Sequence, residues 1–389
     1  MDASALGVIA QDDATLVITL SAPNPAFLST VDIFPCRRSD VETNGDTYGS
    51  EAGTISSCGP FKLNSWLHNS KLEFSKNDQY WDKDNVALDS FTTHIITDEG
   101  AQMASLENGS VDYANVTMQE YAAKFDARSD LYKLETATDR TAMLVFNCQD
   151  SVFANEKIRQ AFSLALDRDL IIQITNGGLG TPAYGLIPTV CYVGDTNFRQ
   201  VTPEPLKALA FTVSDLKALL VEGMGEAGLG YDPSTLSVSF TYTDVSAAGR
   251  TYAELYQQLW RDVLGVEVDI DFDESGLSSI RAGDYQIGSV GWGSTYEPLF
   301  QLSRWSTGGQ SFWVNEEYAA LVAEGAASMD DAVRLKNYQQ AEEMLVISAA
   351  IAPTHYNVAR TYAYSYVGGI PTNPFDTTGM KTYYTGGRS

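Results

Sequence analysis

Histidine, cysteine and basic residues are scarce in this chain, and no long apolar run occurs. Only 3 histidines and 4 cysteines are present among 389 residues. The histidines His68, His94 and His355 are far apart, without an H-E-x-x-H pattern. No two cysteines form C-x-x-C, and none has a histidine beside it, which argues against a zinc site. Lys and Arg number 25 against 50 Asp and Glu, a net charge of −25. Nucleic-acid binding needs the opposite sign to displace counterions, and anionic membrane surfaces repel such a chain. No apolar stretch reaches the length of a membrane span, and Met1-Asp2-Ala3-Ser4 does not open a secretory signal. What remains is a chain long enough for two or three domains. Its acidity fits a solvated, monomeric surface.

Strand and helix patterns alternate, so the class is α/β. Residues 14–20 alternate with Leu16, Ile18 and Leu20 on one face. Residues 39–57 are polar, with scattered glycines, and predict a mobile connection. Strands are expected at 60–66, 71–75 and 91–97, then a helix over 98–108 capped by Asp98, and a strand at 141–147. Asn155 is placed to cap a long helix whose stripe is Ile158, Phe162, Ala165, Leu166 and Leu170. Residues 176–205, rich in Gly, Pro and Tyr, predict a loop. A helix from Ser214, a strand at 236–243, a helix through Tyr252–Val263 stopped by Gly265 and strands at 266–272 and 285–292 follow. Helices at 315–326 and 330–348 precede a last strand at 352–360.

Enzyme signatures fail on context. Gly223-Met224-Gly225-Glu226-Ala227-Gly228 fits G-x-G-x-x-G but ends a helix instead of opening one after a strand. Asp269, Asp271 and Asp273 start like a calcium loop, but Glu274 and Ile280 stand where Gly and Glu are required. No G-x-S-x-G elbow occurs. A carbohydrate-active hydrolase with paired carboxylates is the competing class, although nothing selects a pair from fifty acidic residues.

Several punctuated segments run along the chain in a fixed order: Asp12-Asp13-Ala14-Thr15-Leu16, Cys58-Gly59-Pro60-Phe61, Asn77-Asp78-Gln79-Tyr80-Trp81, Gly109-Ser110-Val111-Asp112, Arg159-Gln160-Ala161-Phe162-Ser163-Leu164-Ala165-Leu166-Asp167-Arg168, Pro182-Ala183-Tyr184-Gly185, Gly291-Trp292 and Pro353-Thr354-His355-Tyr356. In this order they resemble the family 5 extracytoplasmic solute-binding proteins of ABC importers, the oligopeptide- and dipeptide-binding branch. The resemblance implies a two-lobe periplasmic-binding-protein-like fold of type II, with mixed sheets and two chain crossings at a hinge. The crossings are expected near 147–150 and 353–356. Residues 1–42 would be the remnant of an N-terminal subdomain, 43–148 the first lobe, 149–353 the second, and 354–389 the return to the first. It further implies a longer parent chain carrying an export signal. The place would be extracytoplasmic, in the periplasm or on the outer face of the membrane, and the partners a small solute and a membrane permease. No cofactor, metal or covalent chemistry is implied.

The resemblance also selects a site. Small residues let a ligand backbone approach, and exposed main-chain groups can pair with it as with an added strand. The segment Gly288-Ser289-Val290-Gly291-Trp292-Gly293-Ser294-Thr295-Tyr296-Glu297 has this composition after a strand. In the peptide binders the matching segment lines the cleft, with an Arg three before the Trp and an Asp three after it that holds the peptide amino terminus. This chain has Ser289 and Thr295 there. Either the charged anchor is lost or Glu297 has taken it over, so a peptide and a non-peptide solute such as a sugar or metal chelate both remain open. Aromatics outside helical stripes add candidate ligand walls: Tyr184 and Tyr356, with Trp305, Phe312, Trp313, Tyr362 and Tyr364 as weaker ones. Trp66 and Trp81 are expected in the core. If disulfides exist, Cys36–Cys58 and Cys148–Cys191 are the expected pairs; buried free thiols are the alternative.

Overall fold

The computed structural model describes residues 6–31, 34–376 and 379–387. Contacts divide it into a larger unit, residues 1–31 with 139–357, and a smaller one, residues 32–138 with 358–389. The chain passes between them three times: after residue 31, and within two long strands, β1 (Leu131–Phe146) and β5 (Ile351–Tyr364). The second and third of these divisions fall inside strands, at 138/139 and 357/358. The described residues 6–31 group with the larger unit.

The larger unit is built on a mixed sheet. Between β1 and β5 in sequence lie β2 (Val238–Tyr242), β3 (Val268–Phe272) and β4 (Ile287–Gly293), and the order across the sheet is β3-β2-β4-β1-β5. β2 is parallel to β3 and β4, and β4 is antiparallel to β1. The helix expected from Asn155 is two helices, α1 (Glu156–Leu164) and α2 (Arg168–Thr175). Asn155 Oδ1 accepts from the amides of Lys157 and Ile158, as expected of a cap. Asp167 then caps a second start by accepting from Leu170 N at 2.9 Å. The apolar stripe continues across the break, so periodicity alone hides it. Arg168 fills the joint, buried, and among the described residues it enters no ion pair. Its guanidinium donates to the carbonyls of Ser163, Leu166, Ala183 and Pro353, and burial lowers its pKa to about 10.

Two further helices contribute to the apolar face, α3 (Leu216–Glu226) and α4 (Ala247–Leu264); later in the chain α5 (Glu316–Ala327) and α6 (Asp331–Ile347) pack together. α4 begins earlier than its stripe predicts because Ser246 caps it through Gly249 N, and it ends at Gly265 in the left-handed conformation at φ 75°. Phe146, Phe153, Phe162, Phe240 and Trp260 form a continuous buried aromatic core, and Trp260 Nε1 donates to Phe162 O at 3.0 Å. The predicted loop 176–205 is largely interior: Ala183, Leu186, Ile187, Cys191 and Val193 are buried. It is held by Glu342, which accepts from Ile187 N at 2.8 Å and from Arg199.

Of the two alternatives left open by the sequence, all four cysteines are free, although only Cys191 is fully buried and Cys36 and Cys58 are exposed. Cys191 Sγ donates towards Ser294 Oγ and Thr295 O, while Cys148 Sγ faces Phe146 O, so the two thiols point to different partners. Burial pushes both up, Cys148 to about 11 and Cys191 to about 12.

In the smaller unit, Phe61–Leu67, Lys71–Lys76 and Ser90–His94 form an antiparallel sheet. Asp98 caps the helix Glu99–Glu107 at 2.7 Å, as expected. The stretch 39–57, expected to be a mobile connection, contains the helix Arg38–Asn44 and two short 3-10 turns. The core here is Met103, Leu106, Phe125 and Tyr362. Trp66 is half-buried on His68, but Trp81 is 84% exposed, against the expectation of a core residue. Leu16, in the larger unit's hairpin, is likewise exposed.

Candidate ligand-binding site

The site grows from the pairing of β4. Asn147 N donates to Gln286 O and Ser294 N to Asp139 O, which fixes the phase of the antiparallel β4–β1 ladder. Opposed residues alternate between bonded and non-bonded pairs. Ser289 (opposite Leu144) and Gly291 (opposite Ala142) therefore turn their amide groups away from β1. On that side β2 pairs only as far as Thr241 opposite Gly288. Among the described residues no strand lies alongside β4 on that side beyond this pair.

That edge borders a cavity of about 550 Å³, entirely within the larger unit. The β4 wall is Ser289–Trp292; β1 adds Arg140, Ala142 and Met143, and β5 adds Thr354 and His355. Across from them stand Tyr242, Thr243 and Asp244 at the end of β2, and Tyr252 and Tyr256 on α4. The volume falls in the range of small-molecule sites. Arg140 Nη2 donates to Gly291 O at 3.0 Å. Asp244 Oδ1 accepts from Ser246 N at 2.9 Å. Burial raises the Tyr242 and Tyr252 phenols above their ordinary range, with the Asp244 charge adding to it, and burial raises Tyr256 to about 12.

His355 is held neutral. Asn176 Nδ2 donates to its Nε2 at 2.9 Å, which places the ring proton on Nδ1 facing Thr354 Oγ1. Thr354 in turn donates to Ala142 O. Burial lowers the imidazole to about 4. A base whose folded pKa lies below the unfolded 6.5 contributes stability above pH 6.5, lost as pH falls towards 4. Between pH 7 and 4 the wild type should lose roughly 2–3 kcal/mol more unfolding free energy than His355→Gln. Denaturant titrations at both pH values check this; parallel curves would show that His355 carries no such linkage.

Of the residues anticipated from sequence, Ser289, Gly291 and Trp292 line this cavity. The rest of the segment turns elsewhere. Gly293 lies against Asp139, where a Cβ would come within 2.7 Å of a carboxylate oxygen. Ser294 is buried on Cys191, Thr295 donates to Glu297 O, and Tyr296 stacks on Tyr192 at 5.3 Å. Glu297, the expected substitute anchor, is buried on Arg334 Nε at 2.8 Å. Burial raises its pKa against the pull of that guanidinium. Tyr184 lies under the Lys207 ammonium at 4.7 Å and the Arg168 guanidinium at 5.1 Å. Tyr356 is buried with its hydroxyl 3.2 Å from Gly185 O. Trp305 and Tyr362 are core residues, and Trp313 packs edge-on against Tyr318. Asp244, Tyr242, Tyr252 and Tyr256 were not anticipated. Their only sequence signals are a strand end and an i, i+4 tyrosine pair on a helix.

The family model of the bacterial extracellular solute-binding proteins, family 5 (middle region), matches residues 2–313. The chain belongs to this family. It is 28% identical over 386 residues to the dipeptide-binding protein DppE of Bacillus subtilis, covering 96% of this chain and 69% of that protein. It is 27% identical over 401 residues to the periplasmic oligopeptide-binding protein OppA of Salmonella typhimurium, covering 98% and 70%. Among solved structures, the periplasmic murein tripeptide binding protein MppA in its unliganded open form superposes with a TM-score of 0.78 at 25% identity, over 97% of this chain and 73% of that one. The mixed α/β, two-lobe fold expected from the sequence is that of this family.

Proposed function

We propose that this protein is the solute-binding component of an ABC importer and that it takes peptides as extended strands along the open edge of β4. The observation that carries this reading is the edge of β4 that has no partner strand beyond the Thr241–Gly288 pair among the described residues, facing a cavity of about 550 Å³. An extended main chain is the ligand that such an edge satisfies, and side-chain variety is then tolerated by the surrounding tyrosines. The relatives named for dipeptides, oligopeptides and a murein tripeptide support it. On this reading the protein acts extracytoplasmically as a monomer, hands its ligand to a membrane permease and performs no catalysis. The two compact units correspond to the two lobes.

The sequestering of Glu297 by Arg334 favours one other ligand class. With Thr295 and Ser289 in place of the charged pair, the segment itself offers no ionic anchor, which a non-peptide solute would not need. Native mass spectrometry of the protein as purified decides between them. Adducts at masses of short peptides are the expected result. A single non-peptide adduct would keep the binding role and replace the ligand.

A further inference from the structure

The cavity is lined by one guanidinium, Arg140, and one carboxylate, Asp244, while burial holds His355 neutral. They are not equivalent. Arg140 donates to Gly291 O on the strand edge. Asp244 uses Oδ1 for Ser246 N, and among the described residues its carboxylate enters no ion pair.

The carboxylate is also fixed in place. It sits two residues ahead of Ser246, the α4 cap, against Gly249 in the first turn of that helix. A Cβ on Gly249 would lie 2.2 Å from Asp244 O and 2.5 Å from Asp244 Cγ, so only glycine admits this position. Tyr242 and Tyr252 line the same part of the cavity, and both phenols feel the Asp244 charge. Aromatic faces carry negative electrostatic potential, so a cation entering here is attracted by the rings as well as by the carboxylate. The net charge of −25 adds a long-range field of the same sign.

We infer that Asp244 is a specificity-determining residue, selecting ligands that bring an alkylammonium or guanidinium group to the β2–α4 side of the cavity. This rests on the peptide reading above and narrows it to cationic ligands. A turn-forming role alone needs one side-chain oxygen, which asparagine supplies equally well. The charge is therefore separable from the turn.

Binding calorimetry with four probes tests it: Ala-Lys-Ala, Ala-norleucine-Ala, and the Nα-acetylated form of each, against wild type and Asp244→Asn. Wild type should favour a cationic probe over its neutral match by about tenfold or more, and Asp244→Asn should bring the two within about twofold. A preference that follows lysine assigns the cation to a side chain; one lost on acetylation assigns it to the amino terminus. Equal affinities in wild type, or a preference that survives in Asp244→Asn, would overturn the inference while leaving peptide binding intact. No binding of any probe would overturn the peptide reading and the inference with it. Circular dichroism and thermal melting of Asp244→Asn should match wild type, because the Ser246 contact is kept.

Discussion

Glu342→Ala should destabilise the larger unit by about 3–5 kcal/mol, the usual cost of leaving one member of a buried ion pair without its partner. Glu342 is fully buried and Arg199 is 8% exposed at its side chain. One carboxylate oxygen does three things: it pairs with the guanidinium, accepts Ile187 N and abuts Gly185, where a Cβ would lie 2.9 Å from it. Arg199 reaches the same segment through Ile187 O. The pair is thus the clasp that turns an irregular Gly- and Pro-rich stretch into part of the interior. Removing the carboxylate strands the Arg199 charge and frees the 185–187 backbone together. The melting midpoint should fall by roughly 10 °C for a unit of this size. Glu342→Met combined with Arg199→Met should recover most of the loss, because a matched apolar pair leaves no buried charge. Chemical denaturation of the three proteins measures this. A single-variant loss under about 1 kcal/mol would mean that water already reaches the pair.

The same contacts show where sequence reasoning reached and where it stopped. Signals carried by adjacent residues were readable: the Asn155 and Asp98 caps, the Gly265 stop, and the glycine run that leaves β4 approachable. So was the family, because its motifs are short and ordered. What depended on distant partners was not readable. The 176–205 stretch looks like a surface loop until Glu342 of α6 is brought to it. Glu297 looks like a free carboxylate until Arg334, also on α6, covers it. Asp244 reads as a turn former after a strand, and only the ending of the β2–β4 register places it at a cavity. The α1–α2 break was hidden for a different reason: the stripe persists through it, and the deciding signal is a single cap, Asp167.

Gly291→Pro should weaken ligand binding by about tenfold to a hundredfold, or roughly 1–3 kcal/mol, while leaving the fold nearly as stable. The two effects separate because of the phase of the ladder. Gly291 lies in a non-bonded pair with Ala142, so its N–H contributes nothing to the β4–β1 pairing, and proline is tolerated where the amide faces outward. The space is available: a Cβ at this position meets Arg140 Nη2 at 3.5 Å and Thr141 O at 3.8 Å, ordinary contact distances. What is lost is the donor that an incoming strand would use, and the ring occupies the place where that strand would lie. Gly288→Ala is the complementary variant. There a Cβ would come within 2.7 Å of Ile280 Cδ1 and 3.2 Å of Val145, on the packed part of the strand already paired with β2. It should lower stability and leave the affinity of the folded protein close to wild type. Affinity for the solute recovered by native mass spectrometry, measured beside thermal melting for both variants, distinguishes a strand-addition site from a site that merely adjoins the strand. If Gly291→Pro binds as tightly as wild type, the ligand does not pair with β4, and recognition rests on the tyrosine-lined wall opposite.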